Sequence, residues 1–188
     1  MIQNNIKDDR YPILLPVLKF GDPLLREKVK QIEDFTVIPA IVEKMFQTMA
    51  SENGIGLAAN QIGMSINLLI IDTRNCEIEE QGEAYTFVNS EILWTEGETV
   101  MEEGCLSIPD IRAEIKRPET ILLKYQDLDK NYNERHFSGL ISRAIQHEID
   151  HLNGKLFIDY LSPAKRMLIA KRLLEISKSG NPSSGIIL

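Results

Sequence analysis

The sequence predicts an α+β fold: antiparallel β-sheets around a central metal-binding helix, with an N-terminal helix and a C-terminal helix. Three observations predict it. Apolar residues recur at helical spacing over 36–52, over 140–153 and again after Ser162. Between the first two stretches lie short runs rich in β-branched and aromatic residues, bounded by turn-forming glycine, proline, asparagine and aspartate. The helix comes first, then several strands, then two helices, and that segregation distinguishes α+β folds from repeating β-α-β sheets.

The first helix is expected over 36–52, with Ile38, Ile41, Val42, Met45 and Met49 on one face, Pro39 tolerated in its first turn, and Asn53-Gly54 ending it. The aliphatic run from Ile66 to Asp72 reads as a buried strand. Residues 73–84, TRNCEIEEQGEA, form a polar and acidic connection. Further strands are expected at 85–94, 98–102, 111–116 and 120–129, with turns at Glu96-Gly97, Pro109-Asp110, Arg117-Pro118 and Asp129-Lys130-Asn131. Phe157 to Tyr160 reads as short and extended, and Ser162-Pro163 opens a last helix to about Lys178. Ile169, Leu173 and Ile176 give that helix an apolar side, opposite Lys165, Lys171, Arg172 and Lys178.

The 188 residues suit one domain spanning the chain, with 1–16 as an extension and 179–188 as a flexible tail. A net charge of -7 and a pI near 5.1 oppose a surface built to neutralise DNA. No apolar run approaches the roughly 18 residues of a membrane span. The opening MIQNNIKDDRYP lacks the apolar core of a signal peptide, so a cytoplasmic location is expected. In a reducing compartment Cys76 and Cys105 are expected as thiols rather than as a disulfide.

The stretch 140–153, LISRAIQHEIDHLN, holds His147-Glu148-Ile149-Asp150-His151. Ser138 can cap this helix, and Gly154 suits the position just past its end. Residues four apart lie one above the other, so both imidazoles can reach one ion with Glu148 beside it. Leu140 and Ala144 share the histidine stripe, while Ile141, Ile145, Ile149 and Leu152 make a second apolar stripe. A helix apolar on both sides is buried, and buried histidines and acids cost several kcal/mol unless paired or bound to metal.

Two histidines leave a catalytic ion one protein ligand short. Cys105, in Glu102-Glu103-Gly104-Cys105-Leu106-Ser107, is the leading third ligand, and its rivals are Glu175, Asp159 and His136. His136 reads more simply as a solvated strand residue. A third patch, Gly54-Ile55-Gly56-Leu57-Ala58-Ala59-Asn60-Gln61, imitates a dinucleotide fingerprint, but it follows a helix and leaves no room for another before Ile66. It reads better as backbone left bare beside an extended ligand, with the Gln61 amide near the cleft.

GIGLAANQ, EGCLS and HEIDH, in that order and at this separation, resemble the three signature motifs of the peptide deformylase family, and the likeness extends from the FGDPLLR opening to Tyr160. The resemblance implies hydrolysis of the formyl group from formyl-methionyl nascent polypeptides, with release of formate. It implies that Cys105, His147 and His151 bind one divalent metal ion, natively Fe²⁺ in many members and exchangeable for Zn²⁺, Ni²⁺ or Co²⁺. Glu148 is then the proton shuttle, and Gln61 and the Leu106 N–H face the carbonyl oxygen. Ile55 and Gly104 are expected to pair with the substrate backbone, with Gly56 bare beside it, and Leu140, Ala144 and Met101 to form the methionine side-chain pocket, whose shape Arg143 affects; Glu103 is expected among the substrate-binding residues. Asn60 and Arg143 depart from residues common in the family. The basic arc of the last helix suggests a ribosome contact.

The competing enzyme reading is a zinc endopeptidase with an acidic third ligand such as Glu175. A third class is a non-catalytic module in which the metal only stabilises the fold.

Overall fold

A computed structural model describes residues 14–74, 76 and 82–180. Its elements are helix α1 (Ile38–Ser51), strands β1 (Gly56–Ala58), β2 (Leu68–Asp72), β3 (Ala84–Glu96), β4 (Thr99–Cys105), β5 (Ile108–Arg117), β6 (Thr120–Gln126) and β7 (Tyr132–Ser138), then helices α2 (Gly139–Leu152) and α3 (Pro163–Ser179). Strands β1-β2-β3-β6-β7 form one antiparallel sheet in that order, and β4-β5 form a separate hairpin. The α+β class expected from the sequence is the class observed.

Period-2 alternation in β1 and β2 divides the core. Leu57, Leu68 and Ile70 face α1 with Ile38, Ile41, Val42, Met45 and Met49. Ala58, Leu69 and Ile71 face the opposite way, onto Ala144, Ile145, Ile149 and Leu152 of α2. The sheet is therefore covered on both sides, which explains why Leu68 to Ile71 is an unbroken apolar run. A third cluster joins Ile108, Ile111 and Ile115 of the hairpin to Leu156, Phe157 and Ile158 and to Leu173 and Ile176 of α3.

The helix ends refine the expected caps. Asn53, not Gly54, takes the left-handed conformation after α1 (φ 55), and the Asn53 and Gly54 amides bond back to Ala50 and Met49. Ser138 stands at the N-cap of α2 but makes no side-chain capping bond. Gly154 ends α2 as expected, with φ 72 and the Lys155 amide returning to the Asp150 carbonyl. The Ser162 hydroxyl caps α3, accepting from Lys165 N at 3.3 Å.

Several boundaries differ. Gly56–Ala58, read as bare loop backbone, is a short strand paired with β2. Phe157–Tyr160 is a 3-10 turn rather than extended, closed by Asp159, whose carboxylate accepts from Leu156 N at 2.9 Å. Pro109-Asp110 lies inside β5; the hairpin turn sits at Leu106-Ser107, and Asp110 absorbs the irregularity at φ 63. Leu15, within the expected extension, is buried in the α1 cluster, and its amide donates to Thr48 Oγ1. The rest of the extension before Leu14, half of the 73–84 connection (75 and 77–81) and the tail from 181 onward lie outside the described residues. Among those described, no helix is long and apolar enough to cross a membrane.

Candidate active site

Three ligating atoms converge where α2 passes behind the end of β4. The Cys105 sulfur and donor nitrogens of His147 and His151 all lie within 4.8 Å of one another, and Cys105 Sγ is 3.1 Å from His151 Nε2. Ligand atoms around one tetrahedral Zn²⁺-like ion sit roughly 3.3–3.6 Å apart, given metal bonds of about 2.0–2.3 Å. The cluster fits such an ion after small side-chain adjustments. The two rings, one helical turn apart, have centroids 5.1 Å apart.

The surroundings prepare each ligand. His147 Nδ1 lies 2.9 Å from Glu103 Oε2, which leaves Nε2 for the cluster, the usual carboxylate–histidine support behind a metal. Burial pushes His151 well below the ordinary histidine value, so it is the neutral form that a ligand must be. Burial acts on His147 in the same direction, but the Cys105 sulfur and the Glu103 carboxylate outweigh it and draw His147 well above the ordinary value. A cation between the three ligands answers the same pull.

Glu148 is buried beside the histidines, and that burial pushes its carboxyl up to about 7. Its Oε2 has no hydrogen-bond partner among the described residues, a costly state unless a reactant or water meets it. Gly56 makes room for it: a Cβ there would lie 2.5 Å from Glu148 Oε1. This contact follows from the alternation in β1, because Gly56 and Ala58 face α2.

Gln61 sits in the 3-10 turn after β1, and its amide is oriented from both ends. Oε1 accepts from Ala58 N at 2.8 Å, so Nε2 points at Ser107 Oγ (3.2 Å) and at the Cys105 sulfur (3.7 Å). Asn60 beside it donates to the His151 carbonyl at 2.6 Å, tying the GIGLAANQ turn to the metal helix.

A cleft of about 450 Å³ opens onto these groups. Ile55, Gly56, Met101, Gly104, Leu106, Leu140 and Ala144 line it, together with Gln61, Cys105, His147 and Glu148. Glu103 and Arg143 also border it, with their charged ends hydrogen-bonded to the protein. Glu103 takes Arg117 Nε (2.6 Å) and Arg143 Nη1 (2.7 Å) on one oxygen, and Arg117 Nη2 (3.0 Å) and His147 on the other. Arg143 also donates to the carbonyls of Ile115 and Thr99, both at 2.9 Å. Buried charges need such partners, and here the partners hold Glu103 and Arg143 in the wall of the cleft.

The rival third ligands are elsewhere. Glu175 pairs with Arg172 on exposed α3, Asp159 is clamped by Arg26, and His136 lies against Trp94 in β7. Arg117 escapes a reading of the sequence. It joins Glu103 to Asp150 (2.7 Å), yet its place in an Arg-Pro turn signal offers no hint of a buried partner.

The sequence profile of the Polypeptide deformylase family matches residues 14–167. The chain belongs to that family. A peptide deformylase of Stenotrophomonas maltophilia is 45% identical over 169 residues, covering 88% of this chain and 97% of that protein. One from Zymomonas mobilis is 46% identical over 172 residues, covering 88% and 96%. Among solved structures, the peptide deformylase of Thermus thermophilus superposes with a TM-score of 0.82 at 35% identity, covering 89% of this chain and 99% of that one. That of Legionella pneumophila gives 0.79 at 38% identity, covering 88% and 96%. The endopeptidase reading is not favoured: Glu175 pairs with Arg172 on α3, and the family matched is that of the deformylases. As a member of the deformylase family the chain is a metal-dependent hydrolase.

Proposed function

We propose that this chain removes the formyl group from formyl-methionyl nascent polypeptides, with Cys105, His147 and His151 holding one divalent ion, natively Fe²⁺ and replaceable by Zn²⁺, Ni²⁺ or Co²⁺. The observation that carries the reading is the meeting of a sulfur, two imidazoles, an enclosed carboxyl and an oriented amide at the end of one cleft. An ion bound there supplies Lewis acidity, which polarises a carbonyl and makes water nucleophilic near neutral pH.

The chain's own groups account for the rest. Among the described residues β1 pairs only with β2 and β4 only with β5, so each leaves an edge free, and both border the cleft. An extended peptide can add to such edges by backbone hydrogen bonds along Ile55, Gly56 and Gly104, with the methionine side chain against Met101, Leu140 and Ala144. Gln61 Nε2 and the Leu106 N–H donate to the formyl oxygen as negative charge grows there. Losing one such donor typically costs roughly 100- to 1000-fold in rate. Glu148 takes a proton from the attacking water and returns it to the leaving amine. The amide bond breaks, and formate and a free amino terminus result.

Formate release from a formyl-methionyl peptide, with metal analysis of the same sample, tests this reading. Turnover proportional to bound metal is expected; a metal-loaded protein that leaves the formyl peptide intact would refute it.

The same reading extends to place of action. Lys165, Lys171 and Lys178 are exposed on α3, beside exposed Met167 and Leu168, which supports a contact with the ribosome where nascent chains emerge. Co-sedimentation with ribosomes should fall when these lysines are replaced by glutamate.

A further inference from the structure

The two groups that would face the formyl oxygen sit on separate loops. Gln61 follows β1 of the large sheet, whereas Leu106 forms the turn of the β4–β5 hairpin. Among the described residues the large sheet and the hairpin share no strand pairing, so the two loops meet through the Gln61 Nε2–Ser107 Oγ hydrogen bond and not through a ladder.

A third segment joins them. Leu18 N donates to the Gln61 carbonyl at 2.7 Å, and Phe20 N donates to the Ser107 carbonyl at 2.8 Å. Between these two backbone bonds, Lys19 extends its half-buried side chain and donates from Nζ to the Leu106 carbonyl at 2.9 Å. A lysine ammonium is ordinarily left in water, so commitment to a backbone carbonyl calls for a reason. The bond is charge-assisted, and it falls on the residue whose N–H is needed. Holding the Leu106 carbonyl anchors the Leu106–Ser107 peptide plane, and in a two-residue turn closed by the Cys105–Ile108 pair that anchor limits how far the adjoining Cys105–Leu106 plane, which carries the Leu106 N–H, can shift.

We propose that Lys19 is a positioning residue for deformylation: it orients Leu106, and the Leu18–Phe20 strap sets the spacing between the Leu106 N–H and the Gln61 amide. The inference rests on the reading of Gln61 and Leu106 as the donors to the formyl oxygen. The strap contributes no atom to the reaction. It keeps two donors at one spacing, and a preorganised pair stabilises charge that develops only in the transition state.

The test compares metal-loaded full-length wild type, Lys19→Met, Lys19→Arg and Gln61→Ala on a formyl-methionyl peptide. Lys19→Met keeps the stem and removes the donor. It is expected to lower kcat about tenfold, a fraction of the loss for deleting a donor outright, with KM within about twofold and with metal content and thermal midpoint unchanged. Lys19→Arg should recover most of kcat. Unchanged kcat in Lys19→Met overturns the proposal, as does a joint fall of kcat, midpoint and metal that arginine does not repair. Gln61→Ala separates the two levels: if it loses activity while Lys19→Met does not, only the strap inference fails, and if it loses none, the oxyanion reading fails and carries the inference with it. Should Lys19→Met not fold, Lys19→Gln is judged by the same split.

Discussion

Gly56 and Glu148 are in contact across the β1–α2 interface, so close that a methyl group on the glycine would lie 2.5 Å from Glu148 Oε1. The glycine backbone is not left-handed, so what a larger residue meets is crowding and not backbone strain. The atom in the way is the end of a flexible side chain, which can swing aside at little cost to the fold. Gly56→Ala should therefore leave the thermal midpoint and metal content nearly unchanged while lowering kcat about a hundredfold, the scale of an ångström-sized misplacement of a catalytic group. Steady-state kinetics beside a melting curve checks this; full activity would mean that the Glu148 position is not critical.

Cys105→Ser should strip the metal rather than merely slow turnover. It leaves two imidazoles on one helix, too few for a site that ordinarily takes three protein ligands. Expected occupancy after gel filtration is below about a tenth of wild type, measured by elemental analysis. Retained metal would point to a third ligand other than Cys105.

Acid should destabilise the protein through Glu103. Burial alone would raise its pKa, but the hydrogen bonds from His147 and Arg117 prevail and hold it at about 2, against an ordinary 4.5. A depressed carboxyl contributes stability that is fully present above its unfolded value and is lost as pH falls toward the folded one. The contribution is roughly 3 kcal/mol, disappearing between about pH 4.5 and 2. Denaturant titrations across that window should show the loss in wild type and a flatter limb in Glu103→Gln, which begins less stable at neutral pH.

Gly154→Ala should cost stability without touching chemistry. The position has φ 72, and a Cβ would lie 2.5 Å from the Arg26 carbonyl oxygen, which is backbone and cannot step aside. Strain and overpacking together come to about 3 kcal/mol, or roughly 6–12 °C in thermal midpoint for a chain of this size. A midpoint within a degree or so of wild type would contradict this account of the α2 terminus.

What can be read from the sequence is what depends on periodicity or on local turn chemistry. The i, i+4 histidines, the apolar stripes of α1 and α2 and the glycine after α2 each announce themselves within a few residues, and each is found in the expected place. Strand β1 escapes such a reading because three residues, one of them glycine, carry too little alternation to register. The hairpin turn is displaced from its expected position because Pro109-Asp110 is a stronger turn signal than Leu106-Ser107, and only the pairing of Cys105 with Ile108 decides between them. The charge network is the least accessible part. Glu103 and Arg143 look like cleft residues in isolation, and their mutual burial with Arg117 exists only once β4, β5 and α2 have come together.

X-ray absorption at the zinc edge of the Zn²⁺-loaded protein tests the central claim most directly. One sulfur at about 2.3 Å and two nitrogens at about 2.0–2.1 Å, with a light fourth scatterer that changes when a substrate analogue is added, are expected from Cys105, His147 and His151. An absent sulfur shell, or four protein ligands indifferent to the analogue, would contradict it.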